Sequence, residues 1–142
     1  MLLPEIDSKQ PASLSKQMIA EQLRGALEFK GVVITDDMTM GAISKHYGIG
    51  EAAVLTIKAG GDLVMVAHKY DNVTAVLGAL KRSVRNGEIT EERIDESVGR
   101  ILKLKSKYKL TDEPAPTPDK ELVRLNQAIR KKLASMGLAP SQ

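Results

Sequence analysis

Two adjacent aspartates, Asp36 and Asp37, are the residues of this chain best placed to do chemistry. They follow residues 32–35, a mostly β-branched run typical of a strand that is buried on both faces in a parallel sheet. The carboxyl ends of such strands are where α/β proteins bind ligands and place catalytic groups. A carboxylate there can act as a nucleophile or a base, but aspartate is also common in ordinary turns. The local pattern leaves both interpretations open.

A cation site is the third possibility, because paired acids hold a divalent cation in phosphoacceptor receiver domains. That chemistry needs a further acid and a lysine at the ends of other strands. Asp62 is at the beginning of the second predicted strand, so it lies at the opposite end of the strands from Asp36 and Asp37. The pattern therefore disfavours receiver chemistry, and we predict no metal site.

The two histidines are weaker candidates. His68 follows the second predicted strand, so it lies at the same end as Asp36 and could approach a substrate. A solvated loop histidine is the commoner situation and is the favoured interpretation. We also interpret His46 as a polar loop residue, since a general acid or base must satisfy both geometry and role.

Helical and extended patterns alternate around these residues, which predicts an α/β fold with right-handed crossovers. Strands are predicted over residues 32–35 and 62–66. Helices are predicted from Ser13 or Ser15 to about Leu27, over 51–59, from Val73 to near Asn86, and over 90–108 and 119–136. Gly60 and Gly61 stop the helix over 51–59, and Thr90 caps a later one. The predicted inner faces are Ile19, Leu23, Ala26 and Leu27; Val73, Val76, Leu77, Leu80 and Val84; Ile94, Val98, Ile101 and Leu102; and Leu122, Leu125, Ile129 and Leu133.

The composition excludes several functions. The 142 residues contain no cysteine, so disulfides and thiolate chemistry are excluded. The chain has one Phe, three Tyr and no Trp, and its net charge is +3, so base stacking on nucleic acid is not indicated. No segment approaches the roughly 18 consecutive apolar residues of a membrane span.

Residues 31–43, with the letters GVVITDDMTMGAI, and the preceding Leu23-Arg24 resemble the nucleophile segment of glycoside hydrolase family 3. The similarity is greatest to its β-N-acetylglucosaminidase (β-N-acetylhexosaminidase) branch. Three other segments agree in the expected order. Residues 3–15 resemble the connection into the sixth barrel helix, residues 59–65 (AGGDLVM) resemble the eighth strand, and residues 87–105 resemble the closing helix.

The resemblance implies a TIM-type barrel that hydrolyses terminal β-N-acetylglucosamine residues, derived from peptidoglycan or chitin, with retention of configuration and without a cofactor. In this family the first acid after the Ser or Thr at the end of the seventh strand attacks the anomeric carbon. By position that acid is Asp36, and Asp37 has a supporting role at most. The family's acid/base, a His–Asp dyad in a Lys-His … Gly-His-Gly loop, has no counterpart in this sequence. Its substrate-binding residues come from earlier strands, so none is assigned.

A complete barrel needs about 250 residues. We therefore expect residues 1–110 to be the C-terminal portion of the barrel: the sixth helix, seventh strand, seventh helix, eighth strand and closing helix. A proline-rich linker over 111–118 and a helix with a tail over 119–142 follow. On this interpretation the sequence is truncated or begins at an internal methionine. Either the chain contributes the nucleophile of a longer enzyme, or it is an inactive remnant that associates with a complementary barrel fragment or with itself.

Overall fold

The computed structural model describes residues 2–111 and 120–137. The chain divides into two compact units, Met1–Leu110 and Thr111–Gln142, which are described separately. The first unit alternates helices and strands, in agreement with the α/β pattern of the sequence. Its elements are α1 (Gln17–Ala26), β1 (Ile34–Asp37), α2 (Gly41–Ser44), α3 (Ile49–Ala59), β2 (Leu63–Met65), α4 (Tyr70–Arg85) and α5 (Glu91–Lys107).

Strands β1 and β2 form a parallel pair. Ile34 is paired with Leu63 and Asp37 with Met65, and the register is irregular between these two pairs. The first strand begins two residues later than the sequence predicts and ends two residues later. Both acids are therefore part of the strand rather than of the following loop.

One face of this strand pair is covered and the other is open. Thr35 is buried, and Val64 packs against a core formed by Leu14, Met38, Ile43 and Ala52. On the opposite face Ile34 is 56% exposed, Leu63 36% and Met65 39%. The prediction of a strand buried on both faces is therefore wrong for the part of the chain that the structure describes, because its helices cover a single face.

Helix α3 packs closely against α4. A Cβ added to Gly50 would lie 2.8 Å from the Ala79 Cβ and 3.3 Å from the Ala75 carbonyl oxygen, so the small residue allows the close approach. Helix α3 ends at Gly60, whose φ of 108° is left-handed and favours glycine. This ending turns the chain directly into β2.

Helix α1 departs from the predicted pattern. It is π-helical, and the Leu27 N–H donates to the Gln22 carbonyl five residues earlier. Of the predicted inner face, Ile19 is buried whereas Ala26 and Leu27 are exposed. That prediction is wrong at its C-terminal end because the wider turns do not follow a 3.6-residue period.

Helix α5 begins as predicted, with Thr90 as its cap: the Thr90 Oγ1 accepts a hydrogen bond from the Arg93 N–H at 3.2 Å. Two of its predicted inward residues, Val98 and Leu102, are exposed, and so is Leu77 of α4. The buried residue of α5 is Ser97. The helix thus turns a polar side into the unit, where Ser97 and Arg100 contact Asp62 before β2.

The second unit contains α6 (Lys120–Ser135). Three of its predicted inner residues, Leu122, Leu125 and Ile129, are exposed in the structure. The predicted linker from residue 112 onward and the tail from residue 138 lie outside the described residues. No helix within residues 2–111 and 120–137 is both long enough and apolar enough to cross a membrane.

Candidate active site

Asp36 lies on the open face of the strand pair. Ile34 and Asp36 are exposed whereas Thr35 between them is buried, so Asp36 lies on the same side of β1 as Ile34. Its Oδ1 accepts a hydrogen bond of 2.8 Å from the N–H of Asp37. The carboxylate is thus accessible to a ligand at the carboxyl end of the strand, which is what a nucleophile requires.

Asp37 is fixed in place, in contrast to its neighbour. Its Oδ1 accepts hydrogen bonds from the N–H groups of Thr39 (3.0 Å) and Ala67 (3.1 Å). Its Oδ2 accepts a short hydrogen bond, 2.5 Å, from the Thr39 hydroxyl. The Thr39 hydroxyl and then the two amides hold the pKa of Asp37 below its usual value, against the opposing effect of desolvation.

The two histidines lie in different places. The His68 Nε2 is 3.8 Å from the Asp37 Oδ2, and its side chain is exposed. His68 is therefore at the carboxyl end of the strands, near the acidic pair, as the sequence predicts. His46 is exposed in the segment after α2 and lines a separate cavity of about 530 Å³ with Tyr47 and Pro11.

The opposite end of the strand pair contains a buried charge that sequence reasoning missed. Asp62 precedes β2, and its Oδ2 accepts from the Arg24 Nη2 (2.6 Å) and the Val33 N–H (2.9 Å). Its Oδ1 accepts from the Ser97 hydroxyl (2.7 Å) and the Arg100 Nη1 (2.9 Å). Burial by itself raises the pKa of Asp62, but the hydrogen bonds, led by that from Val33, outweigh it and lower the pKa.

A third arginine completes this cluster. The Arg93 Nη2 lies 3.6 Å from the Asp62 Oδ1 and donates to the Gly61 carbonyl at 2.7 Å. Its Nε donates to the Ile57 carbonyl at 3.1 Å, which satisfies the end of α3. This explains the polar inner side of α5, because the helix supplies Arg93, Ser97 and Arg100. The sequence signal for this cluster is an aspartate at the start of an apolar strand. A buried acid requires cationic partners, so arginines could have been expected nearby.

Within the described part of the chain, no group of three or more His, Asp or Glu side chains is arranged to hold a metal ion. The candidate site consists of the accessible carboxylate of Asp36, the hydrogen-bonded carboxylate of Asp37 and the exposed imidazole of His68. Such an arrangement can attack an electrophilic carbon, provided that another group protonates the leaving atom.

These features define a class: an α/β chain with a parallel strand pair whose carboxyl end presents a free carboxylate, as is typical of barrel enzymes. The profile described as "Glycosyl hydrolase family 3 N terminal domain" matches residues 1–104. The chain belongs to glycosyl hydrolase family 3, as the sequence motifs indicated.

Individual relatives agree with this family. β-Hexosaminidase LpqI of Mycobacterium tuberculosis (strain ATCC 25618 / H37Rv) is 37% identical over 109 residues, which cover 72% of this chain and 28% of LpqI. The structure of a family 3 β-N-acetylglucosaminidase from Paenibacillus sp. str. FPU-7 is 47% identical with a TM-score of 0.79, covering 84% of this chain and 23% of that one. The β-N-acetylglucosaminidase of Thermotoga maritima is 31% identical with a TM-score of 0.64, covering 69% and 22%. The matched part of this chain therefore spans less than a third of the length of these relatives.

Proposed function

We propose that this chain is the C-terminal portion of the catalytic barrel of a retaining β-N-acetylglucosaminidase, and that Asp36 is its nucleophile. In this proposal β1 and β2 are the seventh and eighth barrel strands. The substrate is a terminal β-N-acetylglucosamine residue of a peptidoglycan- or chitin-derived saccharide. The names β-hexosaminidase and β-N-acetylglucosaminidase of the relatives support the β-N-acetylglucosamine residue.

The observation that carries the proposal is the difference between the two adjacent acids. Asp37 accepts three hydrogen bonds from the protein, whereas Asp36 is exposed on the open face of the strands. A nucleophile must be ionised and able to reach the anomeric carbon, and a strand end gives it a defined position. Asp36 meets these requirements better than its neighbour.

The proposed reaction has two steps. The Asp36 carboxylate attacks the anomeric carbon while the glycosidic C–O bond breaks and an acid protonates the departing oxygen. Water then attacks the anomeric carbon of the glycosyl-enzyme, the same group removes a proton from the water, and the Asp36 carboxylate is released. Retaining enzymes hold the second group roughly 5 Å from the nucleophile. We place that acid/base in a part of the enzyme outside this chain.

Removing the Asp36 carboxylate tests the assignment in the complete enzyme that contains this chain. We expect Asp36→Ala to abolish turnover of an aryl N-acetyl-β-glucosaminide, because no covalent intermediate can form. Added azide should then restore cleavage and yield the α-glycosyl azide, which NMR identifies. Asp95→Ala, which removes an exposed carboxylate of α5, is the matched control and should retain activity. Full activity of Asp36→Ala would exclude the nucleophile role.

A second function is supported by the open face of the strands. Ile34, Leu63 and Met65 are exposed there, and apolar sheet faces and unpaired strand edges promote association. In this alternative the chain is an inactive α/β remnant that binds a complementary barrel fragment or a second copy of itself. Sedimentation of the purified chain tests it: wild type should associate, and Ile34→Lys, which places a charge on the open face, should weaken that association. A monomer at all concentrations that hydrolyses the aryl glycoside would exclude this alternative.

A further inference from the structure

The backbone around Asp36 is the irregular part of the strand pair. The register shifts between the Ile34–Leu63 and Asp37–Met65 pairs, and Asp36 lies within this interval. At such an irregularity the regular ladder of backbone hydrogen bonds is interrupted, so other contacts must fix the geometry. The backbone bonds resume with the Met38 N–H, which donates to the Met65 carbonyl at 3.0 Å, so within the irregular interval a nucleophile needs support from side chains.

Side chains next to Asp36 supply that support on both sides. The Thr35 Oγ1 accepts a hydrogen bond from the Met65 N–H at 3.0 Å. The Asp37 carboxylate accepts from the Ala67 N–H, 30 positions along the chain, and from the Thr39 N–H in the turn after β1. Asp37 thereby joins the segments that follow β1 and β2 and holds the backbone immediately after Asp36.

We propose that Asp37 is a positioning residue: its carboxylate ties the segments after β1 and β2 together and so fixes the backbone that carries the Asp36 nucleophile. This inference rests on the proposed function. The tie depends on accepting hydrogen bonds from two amides, and an amide oxygen can accept the same bonds. The role therefore requires an acceptor of the right shape at residue 37 but not a negative charge.

Two substitutions in the complete enzyme separate shape from charge. Asp37→Asn keeps an oxygen for the Ala67 and Thr39 amides, so we expect kcat within about fivefold of wild type. Asp37→Ala removes the tie and should lower kcat by about 10²-fold, the cost of misplacing a reacting group by about 1 Å. KM should stay nearly constant, because both oxygens of Asp37 already accept hydrogen bonds from the protein. Asp95→Asn and Asp95→Ala are the matched controls.

Thr39→Val is a milder variant in case Asp37→Ala does not fold. It removes the hydroxyl that donates to the Asp37 Oδ2 and leaves the amide donor in place, so it should lower kcat less than Asp37→Ala does. Wild-type kcat in both Asp37→Ala and Thr39→Val would overturn the proposal. So would equal losses in Asp37→Asn and Asp37→Ala, which would indicate a role for charge, or a loss confined to KM.

Hydrogen exchange in the present chain tests the tie without catalysis. The Ala67 amide should exchange faster in Asp37→Ala than in wild type or Asp37→Asn, while amides of α3 stay unchanged. Equal Ala67 exchange in all three proteins would overturn the tie. If Asp36→Ala stays active while the exchange result is as expected, the nucleophile assignment fails and the tie stands. The two failures are therefore distinguishable.

Discussion

The carboxylates at the two ends of the β1–β2 strand pair differ in burial and in the number of their contacts. At the N-terminal end, the Asp62 side chain has no exposed surface and contacts Arg24, Arg93 and Arg100. At the C-terminal end, Asp36 is exposed and accepts one short-range hydrogen bond from the next residue. One acid is tied to residues far along the chain, and the other is left accessible.

If Asp36 is the nucleophile, this difference separates stability from chemistry within one short strand pair. In barrel folds the N-terminal face of the strands serves stability and the C-terminal face carries the active site. Asp62 connects α1 and α5 to the start of β2, so it links segments that are 38 residues away on either side. Asp36 connects nothing distant, which leaves its carboxylate accessible, as the proposed nucleophile role requires.

The largest expected effect is from Asp62→Ala. This substitution leaves three arginines without their shared anion, and breaking a buried ion pair costs about 3–5 kcal/mol of the free energy of unfolding. Urea denaturation of the chain at neutral pH, followed by circular dichroism, measures it. Asp95→Ala is the control and should change the free energy by less than about 0.5 kcal/mol. An Asp62→Ala protein as stable as that control would remove the stability half of the comparison.

Acid provides a second test of the N-terminal end. The pKa of Asp62 is lower in the folded protein than its ordinary value of 3.8. The unfolded chain therefore binds the proton first, and the stability from this group is present above about pH 4 and is lost as the pH falls through the lower folded value. Urea denaturation of wild type at a series of pH values from 5 downward should show this loss as a falling free energy of unfolding.

The Asp37→Asn variant sharpens the acid test, because Asp37 also has a lowered pKa but lies at the exposed end. Most of the acid-dependent loss should survive this substitution, and added salt should change it little, since buried pairs are weakly screened. A loss that disappears in Asp37→Asn would assign the acid sensitivity to the C-terminal end.

The smallest effect on stability should come from Asp36→Asn. The residue is exposed and makes no distant contact, so the free energy of unfolding should change by less than about 0.5 kcal/mol. Thermal unfolding of this chain next to wild type measures it. A loss comparable to that of Asp62→Ala would show that both ends serve stability, and the comparison would fail.

Local sequence signals predicted much of the fold. Gly60 stops α3 where expected, Thr90 caps α5, and the alternation of helices and strands is confirmed. These features depend on residues close together in the chain, and such local signals can be recognised in a sequence. The family motifs were recognised in the same way, since each is a short contiguous segment.

Contacts between residues far apart in the chain could not be predicted from the sequence. Arg24, Asp62 and Arg100 are brought together only by the fold, so their spacing carries no recognisable period. The π-helical turns of α1 displaced Leu27 from the predicted inner face, because the prediction assumed the 3.6-residue period of an α-helix. The position of Asp36 was predicted, whereas the tie at Asp37 depends on Ala67 and was not.

Gly50 sets the distance between two helices and, through it, the position of a residue in the candidate site. With 2.8 Å between a Cβ at this position and the Ala79 Cβ, even a methyl group would require α3 and α4 to shift relative to each other. Helix α4 begins at Tyr70, two residues after His68, so a displacement of the helix would carry the imidazole away from Asp37. Gly50 thus allows the two helices to approach closely, and adding one methyl group between them would act on the segment that carries His68.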